Sequence, residues 1–440
     1  MPNYRDPRSP EHLYPVVKVQ TCSGQPLEVT TTSGQATYIQ AATTAGDAFG
    51  RFRVSSPYTL FDSSHRYRDN GLWATSTGTG ATYVFSSGEG LVNLSVTTAS
   101  GSQVTRETTR VFPYQPGKSI QIMTTFVMAS GKANLRQRIG YFSSGNGYYF
   151  EVSGTSAPCF VERSSVSGSV AETRVYQSGW NIDPLNGTGT SAVTLDPTKA
   201  QILWTDMEWL GVGTVRVGFV IDGKFIHCHS FHHANKVGST YITTACLPVR
   251  YEITNVDTTA SSSTLKQICS TVISEGGYEL RGAQSSISTP IATPYSMTTA
   301  GTYYPVISLR LKSTNPDAIV ILTALSLMGV TNNVNYNWRI VVGGATTGGT
   351  WVDAGSGSSV EYNLTGTSFT QGNGRIAAGG FANGSNQGAN VVDIPKSELF
   401  KFQLERDSLA GTYYEITLVV SPGINTASVL GSLDWEEVTR

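Results

Sequence analysis

The chain has 440 residues, 14% of them charged, with 46 glycines and a formal net charge of −1 at pH 7. Ordinary soluble domains carry about 25% charge, and no lysine/arginine block occurs here, so composition points away from a nucleic-acid partner. The length allows two or three domains, and the recurring Gly, Thr, Ser, Val and Tyr favour pleated strands and tight turns over helices.

In chain order, residues 1–60 read as an N-terminal arm and first strands: prolines at 2, 7, 10, 15 and 26 oppose helix. The opening "MPNYRDPRSPEHLYP" lacks the apolar core of a signal peptide, so export is not expected. From 61 to 283, runs such as "LVNLSVTTASG", "IQIMTTFVMASG" and "AQILWTDMEWLGVG" alternate with glycine-rich turns. That spacing predicts a central antiparallel two-sheet sandwich, jelly-roll or concanavalin-like. The Ser/Thr/Pro-rich stretch 284–301 is the expected linker, and 302–440 resumes short strands ("YYPVISLRLKS", "YNWRIVVGG", "YYEITLVVS") as a smaller C-terminal β-sandwich. The fold class is all-β. The most apolar run, "AIVILTALSLMGV" (318–330), is too short and interrupted to span a bilayer and reads as a buried strand or strand pair.

Five cysteines, at 22, 159, 228, 246 and 269, show no close CxxC pair, so reduced, buried thiols are expected. Four of the six histidines fall in "FIHCHSFHHAN" (225–235). Just before it, "VRVGFVIDGKF" places Asp222-Gly223 between alternating runs, a strong signal for a two-residue hairpin. Such a turn pairs Gly218 with His227 and Arg216 with His229. It puts Val215, Val217, Phe219, Ile221, Ile226 and Cys228 on the core face. His227 and His229 then fall on the other face beside Arg216, with the apolar Val220, Phe225 and Phe231. An HxH pair on one strand can ligate zinc, but a neighbouring arginine disfavours a second cation. A structural or interface role is expected first, ligand contact second, and no metal.

"ILWTDMEWLG" places Trp204, Asp206 and Glu208 on one strand face. If Leu203, Met207 and Trp209 form the core side, then Trp204, Asp206, Glu208, Arg216, His227 and His229 share one candidate glycan-binding or interface surface. The "D-M-E" resembles part of the carboxylate strand of laminarinase-like jelly-roll glycanases. Ile202 and Gly211 stand where that family's outer carboxylates would be sought. The catalytic set is therefore incomplete. No nucleophile elbow, phosphate-binding loop or HExxH helix occurs. No enzyme activity and no cofactor are expected.

Five segments resemble a group of virion structural proteins of tailed bacteriophages, especially marine and freshwater ones. They are "FGRFRVSSPYTLFDSSHRY" (49–67), "RVFPYQPGKSIQIMTTFVMASGKANLRQRIGYF" (110–142), "DPTKAQILWTDMEWLGVGTVRVGFVIDGKFIHCHSFHHAN" (196–235), "TTACLPVRYEITN" (243–255) and "STLKQICSTVISEGGYELRG" (263–282). The resemblance implies a particle protein assembled in the host cytoplasm, as a capsid decoration, head fibre or tail component, and transfers no catalytic residues. Expected partners are other copies of itself, as a trimer, and other virion proteins. The alternative is a receptor-binding tail protein that recognises host surface glycans.

Overall fold

The computed structural model describes Tyr4–Arg5, Leu13–Tyr14 and residues 56–384, 390–393 and 401–439. The chain divides into two compact units, Met1–Ser55 and Ser56–Arg440. In the first, Tyr4–Arg5 pairs antiparallel with Leu13–Tyr14; of the expected arm, residues 1–3, 6–12 and 15–55, Cys22 included, lie outside the described residues.

The second unit begins with an antiparallel two-sheet sandwich. One sheet has seven strands in the order Ala171–Tyr176, Cys159–Ser164, Gly147–Ser153, Leu135–Phe142, Val249–Asn255, Gln103–Thr108, Trp73–Gly78. The other runs Lys224–Phe231, Val215–Ile221, Gln201–Met207, Ile120–Val127, Ser263–Ser274, Leu91–Val96, Thr82–Ser86, and Tyr58–Ser64 also pairs with Ser263–Ser274. The chain repeatedly crosses between the sheets, as from Gln103–Thr108 to Ile120–Val127 and back to Leu135–Phe142. This is the jelly-roll winding expected from the sequence. Ile120–Val127 shows why such segments fold as strands: Ile120, Ile122, Thr124 and Phe126 are buried and the residues between them are only half-buried.

The two inner faces meet in aromatic contacts. Phe150 reaches Phe126 and Phe219 across the core, at ring-centroid distances of 6.2 and 5.2 Å. Arg106 also lies between the sheets, 1% exposed. Each nitrogen of its guanidinium donates one hydrogen bond, to Gln267 (2.6 Å), Thr75 (2.7 Å) and Asp69 (2.5 Å), so the buried cation has a carboxylate and two further acceptors to compensate it.

A second sandwich follows. Its larger sheet is built on Tyr304–Leu311, Glu415–Pro422 and Asn335–Thr347; its smaller one on Ile319–Gly329 and Ala427–Thr439. The expected linker is corrected here. Within 284–301, Ala283–Ser288 and Tyr295–Met297 are strands, both paired with Ala427–Thr439. Their alternation of half-buried and exposed residues, as in "AQSSIS", is that of a polar edge strand, and its Ser-rich composition reads as a tether until a partner strand is known.

The apolar run 318–330 contains the strand Ile319–Gly329, and its composition has a physical cause. Ile319 and Ile321 are buried in the first sandwich's core, while Val320 and Leu322 are buried in the second's. Over Ile319–Leu322 alternate side chains serve two cores, so neither face is polar there; Thr323 and Ser326, half-buried, and the exposed Met328 follow. Nearby, Glu405 accepts from Arg110 Nε (2.9 Å) and Nη2 (2.6 Å), Thr109 Oγ1 (2.9 Å) and Arg375 Nη2 (3.1 Å). Burial opposes its ionisation, but Arg110 and Arg375 outweigh that and hold the carboxyl below its usual range. Gln403 Nε2 donates to the Val111 carbonyl (2.9 Å) and Arg406 N to the Thr109 carbonyl (2.9 Å), so backbone as well as side chains stitches the seam. No helix among the described residues is long and apolar enough to cross a membrane.

Removing one member of a buried charge pair strands the other. Glu405→Ala is expected to cost about 3–5 kcal/mol in chemical denaturation. It is also expected to open a protease-sensitive site near the seam before global unfolding. A variant that melts like the parent would mean that the pair contributes little to the joint.

Candidate functional site

The Asp222-Gly223 hairpin forms as expected: both residues have positive φ, 51° and 72°, as a two-residue primed turn requires. Ile221 faces Lys224, Val220 faces Phe225 and Gly218 faces His227. Val215, Val217, Phe219 and Cys228 are in the core, and Ile221 and Ile226 pack against it.

Beyond Gly218 the pairing shifts. A bulge between Val217 and Gly218 sets Val217 opposite His229, Arg216 opposite Ser230 and Val215 opposite Phe231. Residues directly opposite share a face, so His229 and Phe231 move to the side of Val217 and Val215. This corrects two expectations. His229 does not sit beside Arg216; it is buried, and its Nδ1 accepts from Asn181 N (3.2 Å). Phe231 belongs to the core. Burial, with His227 and His232 nearby, lowers the His229 imidazole to about 4. One inserted residue reverses every side chain after it, and the composition of "HCHSF" carries no sign of that insertion.

Of the six candidates, Trp204, Asp206, Arg216 and His227 remain on one surface, where the side chains pack against one another and Trp204 Nε1 is buried without a hydrogen-bond partner among the described residues. Trp204 is only 5% exposed, its indole covered by Phe225 and His227 at centroid distances of 5.8 and 5.7 Å. Gly218 makes room beneath it: a Cβ there would stand 3.0 Å from Trp204 Nε1. Asp206 is buried and paired with the half-exposed Arg216. His227 Nε2 lies 2.9 Å from Ser230 Oγ, and burial lowers its imidazole. Glu208 lies just past the end of the strand Gln201–Met207 and is exposed. The remaining histidines disperse. His232 contacts Thr214 Oγ1 (3.1 Å), and His233 lies 2.6 Å from the Gly213 carbonyl and 2.7 Å from Glu162. Among the described residues no group of three or more His, Cys, Asp or Glu could hold a metal ion. The four described cysteines are unpaired: Cys159, Cys228 and Cys246 are buried and Cys269 half-buried.

A second surface was not anticipated. On the outer face of the seven-stranded sheet, register aligns Glu107–Arg250–Gly140–Tyr149–Val161–Arg174 in one row across the strands. The adjacent row is Thr105–Glu252–Arg138–Glu151–Cys159. Arg138 bonds Glu151 (2.6 Å) and approaches Glu252 (3.6 Å) and Glu172 (3.5 Å). Arg174 bonds Glu151 (2.8 Å), Arg163 bonds Glu172 (2.6 Å), and Arg250 bridges Glu107 (3.2 Å) and Glu252 (2.8 Å). Two glycines shape this face. A Cβ at Gly140 would lie 2.6 Å from Tyr149 Cα, and one at Gly147 2.4 Å from Phe142 Cα. Phe142 and Tyr149 meet at 4.5 Å, with the Arg163 guanidinium 5.4 and 5.1 Å from their ring centres.

Burial opposes ionisation of Glu172, but Arg163, Tyr149 and further arginines hold its carboxyl down at about 2. Burial pushes Glu107 up to about 7, against the pull of Arg250. In sequence each contributing segment ("LRQR", "VRYE", "AETR") reads as an ordinary polar strand face. The alternation was visible; the register that sets opposite charges side by side was not.

No family model and no curated protein matches the chain. Solved structures similar to it include a Bacillus licheniformis β-glucanase, at 11% identity and a TM-score of 0.33, covering 49% of this chain and 97% of that one. Another is the CBM2 module of the evolved Dit of Lactobacillus casei BL23 phage J-1, at 7% and 0.33, covering 52% and 100%. A third is a carbohydrate esterase from the Shiga toxin-encoding bacteriophage phi24B, at 13% and 0.29, covering 50% and 99%. Likeness at this level carries no functional inference.

Two outcomes are expected. Trp204→Ala should destabilise the fold by about 3 kcal/mol or more, as loss of a buried indole does; a variant as stable as the parent would return Trp204 to the surface. The Glu107 carboxyl has a raised value in the folded state, so its contribution is present below the ordinary carboxylate range and lost as pH rises through about 7. Between about pH 5 and about pH 8 the parent should therefore lose melting temperature relative to Glu107→Gln, against the rise that the lowered imidazoles of His65 and His229 impose on both up to about pH 6.5. An unchanged slope in the variant would remove Glu107 as the cause.

Proposed function

We propose that this chain is a structural component of a bacteriophage particle, exposed on its surface as a capsid decoration, fibre or tail part. The observation that carries the reading is the resemblance of residues 49–282 to virion structural proteins of tailed phages, over five long segments. The build of the molecule supports it. Two sandwiches share the strand Ile319–Gly329 and a buried charge cluster, and residues 56–440 form one compact unit. The Trp204 surface supports a contact role over glycan recognition, because its indole is covered and Asp206 is engaged by Arg216.

The same surface supplies the reason to propose self-association, as a trimer. With Phe231 in the core, its apolar groups are Phe225 (55% exposed), Ile202 (36% exposed) and the half-buried Val220. Symmetric contacts between copies are a common way to cover such a patch.

Mass spectrometry of gradient-purified particles should find the protein, with a copy number that separates shell from tail. Detection only in infected-cell lysate would end the virion reading. In light scattering the purified chain should exceed monomer mass, and Phe225→Ser should lower it; a parent protein that is monomeric at micromolar concentration would count against self-association in solution.

A further inference from the structure

The outer face of the seven-stranded sheet has one arginine that its ion pairs leave out. Arg136 is flanked in register by Ser153 on one neighbouring strand and Thr254 on the other, with Gln103 one strand further along. Five arginines lie on this face (136, 138, 163, 174 and 250), against four glutamates (107, 151, 172 and 252). Arg138, Arg163, Arg174 and Arg250 each have a carboxylate partner. Arg136 has none among the described residues, and its Nε is buried without a hydrogen-bond partner. The side chains of Ser153, Thr254 and Gln103 also make no hydrogen bond among the described residues, and none of the three is fully buried.

We propose that this row, Gln103–Thr254–Arg136–Ser153, binds carboxylate groups of an acidic polysaccharide. The guanidinium presents a planar fork of donors that matches a carboxylate in two parallel hydrogen bonds. A hydroxyl on each adjacent strand supplies a further donor to the same anion or to a neighbouring sugar hydroxyl. Adjacent strands lie about 4.8 Å apart, so the four positions extend over roughly 14 Å. That length suits an extended chain better than a single small ion. Electrostatics favours an incoming anion. Arg136 is partly removed from water and lies near Arg138, and both effects weaken its hold on its proton, while Glu252, Glu151 and Glu172 act on it in the opposite sense without pairing with it; a bound carboxylate adds to their effect at contact distance. The remaining arginines and glutamates on the face each have an ion-pair partner. The inference stands apart from the virion reading, since it concerns a different face from the Trp204 surface and is independent of where the chain sits in a particle.

The test uses full-length protein and polygalacturonate as the probe, at low salt, with neutral dextran, monomeric galacturonate and inorganic sulfate in parallel. Polygalacturonate should bind, dextran should not, and the monomer and sulfate should compete only weakly. Arg136→Gln should weaken polymer binding by about tenfold or more, the loss of one charge-assisted bidentate contact. Arg136→Lys, which keeps the charge without the fork, should lose part of the affinity, and Thr254→Val should also reduce it. Arg281→Gln removes a cation that is 78% exposed and away from this row, and should leave affinity within about twofold. If Arg136→Gln melts early, Arg136→Lys and Thr254→Val decide the outcome. No polymer binding by folded parent protein would overturn the proposal, as would equal losses for Arg281→Gln and the row variants. Sulfate displacing the polymer completely at equal charge concentration would overturn the extended-chain site.

Discussion

Glu405 is the point on which the arrangement of the 56–440 unit depends. Two sandwiches with separate cores would ordinarily be free to move on a tether. Here one buried carboxylate gathers Arg110 and Thr109 from the first and Arg375 from the second. Three donors on one acceptor make the pairing cooperative, because loss of any one leaves the others less well compensated in a place that water reaches poorly. The seam is completed by Ile319 and Ile321, which leave their own sandwich to fill the first core. Charge fixes the alignment, and apolar burial supplies most of the attraction.

The hairpin surface shows how much a single irregularity decides. Up to Gly218 strict alternation holds, and the side chains fall where period two sends them. After the bulge between Val217 and Gly218, His229 and Phe231 go inward. What remains outside is a compact cluster of Trp204, Phe225, His227, Asp206 and Arg216, folded against itself. A face that reads as a row of free donors and rings is largely closed, because neighbouring strands bring its groups within reach of one another.

On the seven-stranded sheet the same physics runs the other way. Strands that individually look like plain solvent-facing polar segments come together as an ordered lattice of arginines and glutamates. At Gly140 and Gly147 the absence of a Cβ lets Tyr149 and Phe142 lie close against the neighbouring strands. Such a lattice stiffens the sheet and leaves its surplus visible: one cation, Arg136, and a row of hydroxyl and amide groups that the lattice does not consume.

The sequence by itself determined the all-β class, the central sandwich, the Asp222-Gly223 turn and the core side of the hairpin up to its bulge. These follow from local facts: period-two alternation, turn residues that tolerate positive φ, and low charge. It also marked 318–330 as buried. Only the tertiary structure decided that this run serves two cores and that 284–301 is strand rather than linker. It alone moved His229 from the Arg216 face and exposed the charge lattice with Arg136, which has no ion-pair partner among the described residues. Each of those depends on which residue stands opposite which across strands distant in the chain, and pairing register between distant strands leaves no local trace in composition or spacing.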